Sequence, residues 1–223
     1  MKRLSVFGLT LAACLLLMAN AFGQEGYKVE ATGALVSPDV PKALLEALEA
    51  QGTRLVGDQG TVCEIWLRKA MPLKQAAGGG GDVLYGALGE GAVLGILHFP
   101  NAGADFRGQP LKPGFYVLRY ALIPQDGNHM GVYPYRDALL LSPVAADTEP
   151  DKELKFDDLV KLSRLASGTP HPAFLVMSPV GEGQTFPSVV KDDQGHWNLQ
   201  LKVRGQSGEI PIAITLVGKW EGA

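Results

Sequence analysis

Short apolar runs punctuated by Gly, Pro, Asn and Asp recur along the chain, and the clearest of them alternate. In HWNLQLKVR (196–204), Trp197, Leu199, Leu201 and Val203 share one face, and Asn198, Gln200, Lys202 and Arg204 share the other. Period two with one polar face predicts an antiparallel strand that is wet on one side. Ile210, Ile212, Ile214 and Leu216 form a matching inner face after the turn GQSGE, which predicts a hairpin of 196–204 with 210–220. Further strand-like runs lie at 27–36, 61–69, 82–88, 92–99, 114–123, 137–142 and 173–178.

Two segments carry a helical period instead. SPDVPKALLEALEAQG (37–52) offers Asp39 as an N-cap, Pro41 in the first turn, an apolar stripe of Leu44, Leu45 and Leu48, and Gly52 as a stop. FDDLVKLSRLASG (156–168) places Leu159, Leu162 and Leu165 at three-residue spacing before Gly168. The gaps between β runs are too short for repeated helical crossovers. The pattern therefore predicts a mainly β fold: an antiparallel β-sandwich or partly open barrel with two short peripheral helices. QAAGGGGD (75–82) reads as a flexible loop, and the acidic stretch ADTEPDKELK (146–155) as a mobile connection.

Composition narrows the class. The 28 Gly and 15 Pro lie between the apolar runs rather than in one tract, as many short strands joined by turns require. The opening MKRLSVFGLTLAACLLLMANAFGQ has a basic start, an uncharged apolar run and small residues before Gln24, so residues 1–23 are expected to be a cleaved signal peptide. The apolar run is shorter than the roughly 20 residues a spanning helix needs. Leu11-Ala12-Ala13-Cys14 also fits a lipoprotein pattern. Leu15 to Met18 continue the apolar run, however, which makes a lipid anchor at Cys14 the lesser alternative. The expected mature protein, 24–223, is one periplasmic or extracellular domain with no transmembrane segment. It keeps 18 basic against 23 acidic residues, a net charge of −5. That balance argues against nucleic acid as a partner. Cys63 is then the sole cysteine, so a core rather than an internal disulfide must hold the fold.

LKPGFYVL (111–118) resembles a turn of secreted prealbumin-like β-sandwiches, in which Pro-Gly makes a type II turn and Tyr enters a strand. The chain also resembles uncharacterised secreted bacterial β-rich proteins with a mid-chain Gly-x-Tyr strand and a late Trp-x-Leu strand. Gly114-Phe115-Tyr116 and Trp197-Asn198-Leu199 occupy those places here. The likeness implies architecture and no activity.

Chemistry is thinly marked. His98, His129, His171 and His196 are far apart, and no metal-site or nucleophile-elbow motif is present. PQDGNHMGVYPYRD (124–137) is long for a hairpin connection. Its Pro, Gly, Asn and Asp are turn formers, which leaves His129, Met130, Tyr133 and Tyr135 as candidate ligand-binding residues. Trp66 shares a strand face with Glu64 and Arg68 and is a further candidate platform, unless a helix buries it. The expected role is a non-catalytic binding or assembly module for a protein or carbohydrate ligand, with no cofactor. The alternative is a periplasmic copper protein using His129 and Met130, a nitrogen and a soft sulfur. A secreted hydrolase of glycans ranks third. It would need two facing carboxylates, from a set that includes Glu64, Asp105, Asp126, Asp137, Asp157 and Asp158.

Overall fold

A computed structural model describes residues 26–74, 81–127, 133–205 and 208–220. The strands are β1 (Lys28–Thr32), β2 (Gly52–Gly57), β3 (Gly60–Leu67), β4 (Val93–Phe99), β5 (Gly103–Ala104), β6 (Pro110–Leu111), β7 (Gly114–Leu122), β8 (Asp137–Pro143), β9 (Phe174–Ser178), β10 (Ser188–Lys191), β11 (Trp197–Gly205) and β12 (Gly208–Val217). The helices are α1 (Lys42–Ala47) and α2 (Phe156–Ser167). Ten strands form one antiparallel sheet in the order β1-β2-β3-β4-β7-β8-β9-β12-β11-β10, with β5 and β6 as a separate ribbon. The sheet curls until β1 approaches β10, so the architecture is a barrel nearly closed on itself. Bulges at Leu55/Val56, Val93/Gly95 and Trp197/Asn198 supply local bending. A Cβ on Gly95 would run into the carbonyl of Trp66, so the close approach of β4 to β3 needs glycine there.

The alternation of the sequence becomes an inside and an outside. Leu199, Leu201 and Val203 point inward with Ile212, Ile214 and Leu216 from β12, as the predicted hairpin requires. Leu55, Cys63, Leu118, Leu139 and Met177 join them, so side chains fill the barrel. Leu67, Val93, Leu122, Asp137 and Gly205 mark one end of the barrel. Gly60, Phe99, Gly114 and Trp197 mark the other, called the mouth below.

Several local expectations change. The run 82–88 is a turn and a single 3-10 turn (Gly86–Leu88), not a strand. Its Leu84 and Tyr85 N–H groups donate to the buried Asp137 carboxylate, each at 2.7 Å, instead of to a ladder. Helix α1 is shorter than 37–52. It begins after Pro41 with no side-chain cap, and Leu48 is already extended. Leu48 then bridges to Arg68, and Gly52–Gly57 pairs with both β1 and β3. Helix α2 ends at Gly168 as expected, with φ 65° in the left-handed region. Asp157 and Asp158 in its first turn and Arg164 in its last both suit the helix dipole. Its Leu159 packs on Ala121 and Leu140.

The acidic connection 146–155 is tied down rather than loose. Arg119 is 1% exposed and grips Asp147 through two bonds of 2.7 and 2.6 Å. It also donates to the carbonyls of Gly91, Glu149 and Lys152. A buried guanidinium must fill its donors, and this segment supplies the acceptors.

Candidate functional site

Trp66 is not an open platform. It is 4% exposed beneath Val40, Leu44 and Leu48, and its indole N–H donates to the Gly33 carbonyl at 2.8 Å. Helix α1 exists to cover this face, so the charged neighbours Glu64 and Arg68 flank a second small core. Tyr133 and Tyr135 meet edge to face, with centroids 6.1 Å apart. Tyr133 also packs edge-on against Phe106 at 5.5 Å. Burial, with Asp192 nearby, pushes the Tyr133 phenol up to about 12, and a hydrogen bond links it to Thr215. Both rings are half-buried. His129 and Met130 lie outside the described residues.

Below Tyr133 is a polar floor that sequence patterning mistook for a wet face. Asn198 and Gln200 are buried. Asn198 accepts from Ser178 and from Thr215, at 3.1 and 2.6 Å, and donates to Asp192. Asp192 in turn accepts from the backbone of Gln194 and His196 and sits 3.2 Å from His196 Nδ1. Burial works against its charge, yet these bonds hold its carboxyl below the ordinary range. The network is saturated and serves to seat the β10–β11 turn.

Other candidates are likewise spent on structure. Cys63 is 1% exposed, and burial with Glu64 alongside pushes its thiol up to about 12, which makes it inert. Asp105 accepts the N–H groups of Arg107 and Gln109 and the Gln109 amide. Asp137 accepts the Tyr120 hydroxyl as well as its two backbone donors. Among the described residues, no group of three or more His, Cys, Asp or Glu is placed to hold a metal ion.

Two open clefts lie at the mouth end. The first, of about 740 Å³, is bounded by the β2–β3 turn, the 101–104 loop and the starts of β1 and β11. Tyr27 and Trp197 stand in it edge to face at 5.1 Å, both half-buried, and Phe99 forms part of its wall. Lys191 Nζ lies 5.6 Å from the centre of the Trp197 ring. Exposed Asp58, Gln59 and Asn101 supply polar groups around it. Trp197 was legible as an inward residue of β11. As the first residue of its strand, it faces the mouth rather than the core.

The second cleft, of about 710 Å³, lies between the end of β4, the start of β7 and the end of α2. His98 lines it, stacked on Phe115 at 4.2 Å and 16°. Its Nδ1 is 3.1 Å from Glu64 Oε2, while Arg54 donates twice to Glu64 Oε1, at 2.8 and 2.7 Å. Burial opposes the charge on Glu64, but the bonds from Arg54 and His98 prevail and lower its carboxyl pKa. An ionised Glu64 accepts a hydrogen bond from His98 Nδ1–H, which fixes the ring. His98 was legible only as the end of a strand, because its partners come from β2, β3 and β7.

Comparison with known proteins supplies no relative: no family model, no curated protein and no solved structure matches the chain.

Proposed function

We propose that the protein is an exported, non-catalytic binding module that holds a carbohydrate in the mouth cleft of its barrel. The observation that carries this is the cleft itself: half-buried Tyr27 and Trp197 rings set among the amides of Gln59 and Asn101 and the single charges of Asp58 and Lys191. Sugars offer apolar C–H faces to aromatic rings and hydroxyls to amides and carboxylates, so such a cleft suits them. Barrel mouths are among the preferred places for ligands, and the volume falls within the roughly 300–1,000 Å³ range of ligand pockets. The proposed site is the mouth rather than the 126–137 loop, whose Tyr133 is engaged with Phe106 and Thr215. Export rests on residues 1–23.

A glycan array probed with purified 24–223, followed by calorimetry on the glycans retained, tests the proposal. Tyr27→Ala and Trp197→Ala are each expected to weaken binding about tenfold, which corresponds to about 1.4 kcal/mol. An array without binders, or unchanged affinity in both variants, defeats it.

A further inference from the structure

We infer that the ligand is a neutral glycan chain bound along its length, running from the mouth cleft past the end of β4 into the cleft beside His98. This rests on the carbohydrate proposal and adds the class of sugar and the way it is gripped. Phe99 lines both clefts. Alternation along β4 turns Phe99 inward to the mouth and His98 outward to the second cleft, so the two spaces are neighbours divided by one strand end. At about 740 and 710 Å³, each is large enough for its own short stretch of sugar. A single terminal sugar would leave one of them unused.

Charge and hydrogen-bonding chemistry select the class. The mouth cleft carries Lys191 and Asp58, and the second carries Lys112 and Asp39. The side chains lining each cleft thus include one ammonium and one carboxylate, a balance that favours neither an anionic nor a cationic polymer. In the neutral imidazole with Nδ1–H bonded to Glu64, Nε2 is the free acceptor of a ring that lines the cleft. Among the described residues no hydrogen bond occupies that nitrogen. The exposed Lys112 ammonium is a donor in the same cleft. A hydroxyl both donates and accepts, so an acceptor and a donor lining one wall suit a polyhydroxylated chain. The stacking on Phe115 and the Arg54–Glu64 pair hold the acceptor in one orientation before any ligand arrives, which lowers the ordering cost of binding.

The test is a calorimetric length series on the mature protein, using cello-, xylo-, manno- and malto-oligosaccharides from disaccharide to octasaccharide. For the series that binds, affinity should climb by at least tenfold between the shortest and longest members. His98→Ala and Lys112→Ala should each flatten that climb, and His98→Gln, which restores an acceptor, should recover part of it. Lys112 is exposed, so its variant reports binding without a folding defect. Affinity that does not grow with length, or a climb identical to wild type in both alanine variants, overturns the two-cleft chain while leaving a mouth-cleft sugar site standing. Absence of binding at every length overturns the carbohydrate proposal and this inference together.

Discussion

The two ends of the barrel are built from similar residue types and put them to opposite uses. At the closed end, Tyr85 and Tyr120 are buried, and burial raises both phenols well above their ordinary range. Tyr120 donates to Asp137 at 2.6 Å, and Tyr85 donates to the Ser178 carbonyl at 2.6 Å while accepting from the Ala213 N–H. Met71, Leu88 and the Leu73 side chain against Gly205 complete the plug. At the mouth, Tyr27 and Trp197 touch each other and remain half-open, and the surrounding amides and charges are exposed. Aromatic rings whose polar atoms are satisfied internally stabilise, while rings left beside exposed polar groups are available to a ligand.

The strongest way to break this contrast is Asp137→Ala. It orphans two backbone N–H groups and the Tyr120 hydroxyl in the interior, and should cost about 3 kcal/mol or more of unfolding free energy. Urea melts check it; a loss below about 1 kcal/mol would mean that the closed end is not the stabilising one. Trp197→Ala should do the reverse, costing about 1 kcal/mol of stability while removing most glycan affinity. Equal losses from the two substitutions in both assays would erase the distinction between the ends.

Cys63, on the inner wall between them, sharpens the picture through pH. Its thiol stays protonated in the fold up to about 12, against 9.0 as the reference value, so the unfolded chain loses the proton first. Its contribution is complete below pH 9 and declines as pH rises from 9 to 12. Alkaline unfolding should therefore shift to higher pH in Cys63→Ala relative to the fall expected from its cavity at neutral pH. Iodoacetamide at pH 8 should leave the native thiol unmodified and label it only in denaturant. Rapid native labelling would contradict the burial. The smallest expected effect is Lys191→Ala, an exposed ammonium over Trp197: about 0.5 kcal/mol or less in stability, and an affinity change of only a fewfold.

Much of the fold was legible because strand alternation is local. β11, β12, β7 and β8 follow directly from period-two or apolar runs, and Gly168 announces the end of α2. What escaped was decided by distant partners. The run 82–88 has strand-like letters, but a carboxylate some fifty positions away takes its backbone donors. The strand Gly52–Gly57 was hidden because its first residue looked like a helix stop. Trp66 looked amphipathic until α1 covered it. The site was less legible still. Tyr27 and Trp197 come from opposite ends of the chain and meet only because β1 and β10 are the two margins of one curled sheet.

The sequence by itself determined the inward set of the β11–β12 hairpin and the predominance of antiparallel pairing, since both depend on composition or on neighbours two residues apart. Tertiary structure alone decided that the sheet curls into a barrel, that one end is plugged and the other open, and that Arg54, Glu64 and His98 form a chain beside a cleft. Those outcomes depend on strand order and curvature, which bring together side chains that no local spacing relates.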